Sequence, residues 1–448
     1  MKTDKYRRLL SCCPSLLDAA DKTANDKNGA LQNNIPAQVT AYVTAPVLFC
    51  YVCYILDSVK KNNINRIFFL SRDGYILKQI ADIIIERKKL KIQTSYLYVS
   101  RYSLRNALYY KCETAEDFEN AGLFTGYTLK SAKNFLKRAG LNDCQRVEVY
   151  KEIGFSDDEN KDLGDSEYSA FCEKIKNDPA LLCKIKNNSE NNYHNIMKYF
   201  EQSGLFEKGK IAVVDSGWMG TVQKTLTALV NGRTDENIIG YYFGLYRRED
   251  DNDKGFLFDV TDAYKYVPTF CNNLFECFCS APHGMTTGYR ECDGKIIPVL
   301  SDANAEMVKM AEIQTKTAVR FTEYACKNEN YIPICKMRDI SAGLLKALMY
   351  KPDKQEAEIL GAFPFSDDVT EAKIQRLAGN CKGSISNILL PVRIIRKKKG
   401  KSIYPDKYIY WLYGSIVLTG CKPAWVYRLS VREWERLRLL RERRKLCR

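Results

Sequence analysis

The stretch FFLSRDGYIL, residues 68–77, is an apolar run that stops on Ser-Arg-Asp-Gly and then resumes with helical spacing. The run reads as a strand buried on both faces, as in a parallel sheet, where hydrophobic alternation is lost. The continuation reads as the helix that follows it. Two explanations fit the charged pair at the strand end. Loops beyond the carboxyl ends of strands hold ligands in open α/β sheets, which places Arg72 and Asp73 for one. Alternatively, Asp73 caps the helix by accepting its free backbone N–H groups.

The same grammar recurs along the chain. A second strand, SYLYV at 95–99, ends on SRYS and leads to a helix from about Leu104. KIAVVDSGWMGTVQKTLTALV gives a strand at 211–214, a glycine-containing turn and an amphipathic helix from about Thr221; IIGYYFGLY at 238–246 is a fourth strand, followed by REDDNDK as a solvated turn. Strands separated by helices of this length predict an α/β fold, a Rossmann-like parallel sheet with right-handed crossovers. Residues 112–208, rich in Lys, Glu, Asp and Asn with helical periodicity, predict a helical insertion. It divides the α/β domain into a first half at 35–111 and a second half at 209–390, which grades into mixed helices and loops. Residues 1–34 read as a loose amino-terminal arm and 391–448 as a basic aromatic, helical carboxyl-terminal tail.

Of the formal charge of +15 on 448 residues, +13 lies in that tail, with 17 Lys and Arg against 4 Asp and Glu. Such asymmetry argues for an acidic partner surface. Leu429, Trp434, Leu437 and Leu440 recur among arginines and predict a basic amphipathic helix suited to peripheral contact with an anionic membrane. Tyr404, Tyr408, Tyr410 and Trp411 interleave with the charges, a pattern compatible with nucleic acid, which is not the expected partner. The 22 uncharged residues 35–56 are long enough to cross a bilayer. Pro36, Pro46, Gln38 and two threonines dilute them, so a buried helix at about 43–60 is expected. Scattered cysteines behind MKTDKYRRLL, which has no apolar core of a signal peptide, predict reduced thiols and a cytoplasmic protein, with its tail peripheral at the inner membrane face. Only His194 and His283 exist; Cys50 and Cys53 lie in an apolar stretch, and Cys271, Cys277 and Cys279 near His283 read as core packing, so no structural metal is expected.

If the strands are parallel and adjacent, three turns converge on one sheet edge: Ser71-Arg72-Asp73-Gly74, Ser100-Arg101-Tyr102-Ser103, and Asp215-Ser216-Gly217-Trp218-Met219-Gly220-Thr221. The last presents N–H groups and a helix dipole to an anion. Arg72 and Arg101 suit bidentate phosphate binding. Asp73 and Asp215 carry the sign opposite to that ligand, the pattern of a general base or of a carboxylate holding Mg²⁺, with Asp215 the candidate metal ligand.

FFLSRDGYILKQIAD, YLYVSRYSL, IAVVDSGWMGTVQKTL, GYYFGLY, LFECFCSAPHGMTTGY and KQEAEILGAFPFSDDV together resemble the carboxyl-terminal module of bacterial predicted HAD-superfamily hydrolases, which are associated with glycosyltransferase gene clusters for surface polysaccharides such as capsule. The resemblance covers residues 41–369, and the matching positions are Arg72, Asp73, Gly74, Ser100, Arg101, Glu190, Asp215, Gly217, Trp218, Gly220, Gln223 and His283. HAD hydrolases attack phosphoesters with the first aspartate of a DxD motif at a strand end; the matching place here carries Ser71-Arg72-Asp73. A looser resemblance links LSRDG and VVDSGWMGTVQ, in the same order, to the pyrophosphate and ribose-phosphate loops of type I phosphoribosyltransferases. The resemblance implies a protein of surface-polysaccharide biosynthesis that binds a phosphorylated sugar or nucleotide-sugar and acts at its phosphate. The alternatives are a phosphoribosyltransferase-like transferase and a non-catalytic scaffold for a glycosyltransferase. Asp73 and Asp215 would be catalytic, and Ser71, Arg72, Gly74, Ser100, Arg101, Ser216, Gly217, Trp218, Gly220, Thr221 and Gln223 would bind substrate.

Overall fold

A computed structural model describes residues 2–26, 34–125, 130–153, 159–233, 238–247, 252–327, 332–366, 368, 370–371, 374–407 and 409–446. Five strands form one parallel sheet: β1 (Arg66–Leu70), β2 (Gln93–Leu97), β3 (Ile211–Trp218), β4 (Ile239–Leu245) and β5 (Lys254–Phe258), in the order β2-β1-β3-β4-β5. Every residue of β1 is buried, as expected of a strand with both faces covered. The helix after β1, Gly74–Lys88, packs Ile76, Leu77 and Ile80 on one face with Ile67 and Phe69. The helix after β3, Thr221–Val230, packs Leu226 and Leu229 on the other with Phe68 and Val213. Right-handed crossovers require this, because β1 to β2 steps one way along the sheet and β3 to β4 the other. The direction reverses between β1 and β3, which opens a crevice beyond their carboxyl ends.

The α/β, Rossmann-like architecture agrees with the sequence, and several details differ. Strand β2 starts and ends two residues earlier than read, and its helix begins at Arg101, where Ser100 accepts the Ser103 N–H at 2.9 Å. Strand β3 runs four residues further, through Asp215-Ser216-Gly217-Trp218, because β4 offers partners opposite Asp215 and Gly217. Strand β5 begins on Lys254, the last residue of the segment read as a solvated turn; Arg248, Glu249, Asp250 and Asp251 of that turn are outside the described residues.

The loose amino-terminal arm is instead two docked helices, Asp4–Leu10 and Pro14–Ala24. Tyr6, Leu10, Leu16, Ala19 and Ala20 are buried in the main core, and the Tyr6 hydroxyl donates to Glu356 at 2.7 Å. The uncharged stretch is one helical run, Ile35–Lys61, the one helix among the described residues long and apolar enough to cross a membrane. It is almost wholly buried, packing against the helices Ala305–Ala325, Ile334–Met349 and Gly74–Lys88. Its turn widens at Thr40–Thr44, just before Pro46, whose missing N–H removes one helical bond.

Residues 109–185 enclose a separate small core around Phe135 and Phe171, and the helix Pro179–Gln202 carries the chain from it back to the sheet. The carboxyl-terminal segment forms the helices Leu390–Lys398, Leu412–Thr419 and Ala424–Leu446. It is not a free appendage, since Trp411, Tyr413, Ile416, Val431 and Leu439 belong to the main core. The stripe read on the last helix is not the one buried: Leu429 and Leu437 are exposed. Nor are Trp411 and Tyr410 free for base stacking, although Tyr404 is exposed. Trp411 is buried and Tyr410 packs on Phe365 with ring centroids 5.2 Å apart; Tyr408 is outside the described residues.

Candidate functional site

The three strand ends do converge. Beyond β1, β2 and β3 lies a cavity of about 250 Å³, and Ser71, Arg72, Asp73, Ser100, Arg101, Asp215, Gly217, Trp218 and Thr221 all line it.

Backbone constraints fix the arrangement. A Cβ on Gly74 would come within 2.7 Å of the Phe69 backbone, so the helix can start this close to β1 only with glycine there. Gly217 has φ of +137°, and a Cβ on it would meet the Gly244 carbonyl at 2.4 Å, which keeps β3 and β4 paired beneath the cavity. The buried Tyr51 hydroxyl reaches the carbonyls of Asp215 at 2.9 Å and Tyr241 at 2.8 Å. The Ser71 hydroxyl donates to the Val99 carbonyl at 2.6 Å and accepts the Val99 N–H at 2.9 Å. Ser100, besides its capping bond, donates to the Thr286 carbonyl at 2.6 Å. Both serines therefore staple the strand ends together, leaving the charged groups to meet a ligand.

The capping explanation for Asp73 fails. Asp73 stands at the N-cap position but makes no capping bond, and its carboxylate accepts the hydroxyl of Ser216 from β3. Burial raises the pKa of Asp73, opposed by the Ser216 hydroxyl and by the charges of Arg72 and Arg101. Burial raises Asp215 well above the usual carboxylate range, and the negative charges of Asp73 and Glu276 add to the effect. The Ser216 N–H, at 2.9 Å, and Arg101 oppose it. Two neighbouring carboxyls in unlike settings lose their protons in turn. Burial raises both carboxyls, and Asp215, which also faces Glu276, is raised further.

Arg72 forms an ion pair with Glu371. Arg101 is exposed and makes no hydrogen bond or ion pair among the described residues. Met285, Met307, Met310, Phe363 and Phe365 form an apolar wall, a soft and adaptable surface. Cys277 also lines the cavity, but burial and the adjacent Glu276 push its thiol up, so it is not a thiolate nucleophile.

The other expected binders, and the matching positions Glu190 and His283, lie apart from this cavity. Ser216 is buried and serves Asp73. Gly220 is a left-handed residue ahead of the helix Thr221–Val230, and only Met219 and Gly220 separate that helix from β3, so the long phosphate loop read in DSGWMGT is mostly strand. Gln223 is buried, donating to the Ile238 carbonyl at 3.0 Å and accepting the Tyr242 hydroxyl at 2.7 Å. Gln223→Ala is expected to cost about 1–3 kcal/mol in denaturant unfolding, the range for orphaned buried partners, with pyrophosphate affinity by calorimetry unchanged. Glu190 is exposed on the helix Pro179–Gln202, 3.9 Å from His194. His283 is held neutral by burial; with Nδ1–H donating to the Gly284 carbonyl at 2.8 Å, its Nε2 accepts the Tyr96 hydroxyl at 2.8 Å.

Three carboxylates lining the cavity escaped the sequence reading: Glu276, Asp368 and Glu371. Glu276, which accepts the Trp218 indole N–H at 2.6 Å, sits within the quoted LFECFC motif, whereas Glu371 lies in no motif. Among the described residues no three His, Cys, Asp or Glu side chains gather as a metal cage. No protein-family model and no curated protein matches the chain.

Proposed function

We propose that the protein is an enzyme that binds a phosphorylated sugar or nucleotide-sugar in this cavity and acts at the phosphate. The observation that carries the reading is the meeting, at the reversal point of a parallel sheet, of two arginines with the buried carboxyls Asp73 and Asp215 in one cavity. Arg72 and Arg101 hold the phosphate oxygens, the role planar guanidinium groups fill best. Asp73, which is bonded by the Ser216 hydroxyl and faces the charges of Arg72 and Arg101, accepts the proton of the attacking hydroxyl or water. Asp215, the more strongly raised carboxyl, donates to the departing oxygen. The N-terminus of the helix Thr221–Val230 adds a partial positive charge at Thr221. Mg²⁺ fits the donor set in the form in which one or two carboxylates share it with substrate oxygens. Asp215, its proton given up, would hold it, and the ion would then neutralise phosphate charge in place of that proton. The resemblance to HAD-type hydrolases supports the same reaction class.

The test is phosphorus NMR of sugar phosphates and nucleotide-sugars incubated with protein and Mg²⁺. Turnover of at least one is expected, reduced about 100-fold in Arg101→Ala, the scale of removing one charge-stabilising donor. A folded protein that turns over none of them contradicts the proposal.

A further inference from the structure

A second cavity, of about 270 Å³, abuts the first, and the two share Arg72, Met307, Ser366 and Glu371 as walls. The partition between them is the Arg72–Glu371 ion pair. Each cavity alone falls below the roughly 300–1,000 Å³ of small-molecule sites, and together they reach it. Their linings differ in kind. The first joins the acid–base pair to the methionine and phenylalanine wall. The second has Asp302 and Asn304 at its rim, an acceptor and an amide whose oxygen is already committed to the Glu306 and Met307 N–H groups, leaving its NH₂ to donate. Those groups suit the hydroxyls of a sugar. Glu371 also stands at φ of +52°, a backbone region rarely used by residues with side chains, its N–H bonded to the Asp368 carbonyl at 3.0 Å. Such outliers gather where a segment has a task beyond packing.

We infer that the two cavities are subsites of one elongated site for a two-part diphosphate of the nucleotide-sugar class, with Glu371 holding the place on Arg72 that the ligand's phosphate takes. The inference rests on the phosphate reading of the first cavity. The nucleoside lies along the apolar wall, the sugar enters the second cavity, and the diphosphate crosses the partition. Binding exchanges one anionic partner of Arg72 for another, so Glu371 selects against ligands too weakly charged to displace it.

The test is calorimetry with pyrophosphate, UDP, GDP, UDP-glucose and GDP-mannose. Glu371→Gln keeps the side-chain shape but gives up the charge, and pyrophosphate is expected to bind it about tenfold tighter than the native protein. At least one nucleotide-sugar is expected to bind about tenfold tighter than its own nucleoside diphosphate. Ile374→Trp and Ala303→Trp, two exposed positions lining the second cavity, should abolish that advantage and leave pyrophosphate binding unchanged, which also shows that each variant is folded. The inference is overturned if no nucleotide-sugar exceeds its diphosphate, if both tryptophan variants retain the advantage, or if Glu371→Gln leaves pyrophosphate affinity as it was. Failure of pyrophosphate to bind the native protein overturns instead the phosphate reading beneath it.

Discussion

Asp215→Asn is expected to lower turnover by about 100- to 10,000-fold, the contribution of a positioned general acid, and to make the folded protein more stable at neutral pH. The second effect follows from linkage. Burial and the neighbouring charges of Asp73 and Glu276 raise the folded-state pKa of Asp215. A carboxyl with a raised pKa contributes stability that is fully present below its unfolded pKa and is lost as pH rises through the folded one. Asparagine does not titrate, and its side-chain oxygen can still accept the Ser216 N–H that Asp215 accepts at 2.9 Å. The variant should therefore match the native protein in urea unfolding at acidic pH. It should exceed it by about 1–3 kcal/mol near pH 8, the order of an uncompensated buried polar group. A stable but inactive variant is the signature of a group kept for chemistry. Equal destabilisation at both pH values, with turnover intact, would make Asp215 a structural residue.

Trp411→Ala should be the most destabilising single change in the carboxyl-terminal segment, by about 3–5 kcal/mol, the range for emptying a buried tryptophan site. Trp411 is 1% exposed, and its indole N–H donates to the Met349 carbonyl at 2.8 Å. Its ring lies so close to Gly414 that a Cβ there would sit 2.6 Å away. Losing the side chain opens a cavity between the helices Ile334–Met349 and Leu412–Thr419 and strands a carbonyl. Denaturant unfolding of the full chain measures the loss. A cost below about 1 kcal/mol, typical of surface positions, would restore the picture of a detachable basic tail.

The sheet was legible where strands are continuous apolar runs. IFFL and IIGYYFGLY announced β1 and β4 because parallel strands covered on both faces need no alternation. Strand β3 was read short because Asp, Ser and Gly favour turns, and only the neighbouring β4 makes Asp215–Trp218 a strand. The amino-terminal helices were missed because small alanines and charged residues dominate them; their burial depends on partners such as Glu356, some 350 residues away. In the candidate site, Asp73, Arg72, Arg101 and Asp215 were legible as strand-end residues, and their convergence followed from parallel topology. The unlike settings of the two carboxyls were not, since they depend on the Ser216 bond and on Glu276. Glu371 reaches Arg72 from a loop almost 300 residues downstream, which no local pattern encodes.

The most direct test of the phosphate site is calorimetric titration of the native protein, Arg72→Ala and Arg101→Ala with pyrophosphate, with and without Mg²⁺. Saturable binding to the native protein, weakened about tenfold or more in each variant, is the predicted result, as expected for loss of a charged hydrogen-bonding partner. No binding to a folded native protein, or equal binding by all three, would contradict the assignment of the β1–β3 crevice as a phosphate site.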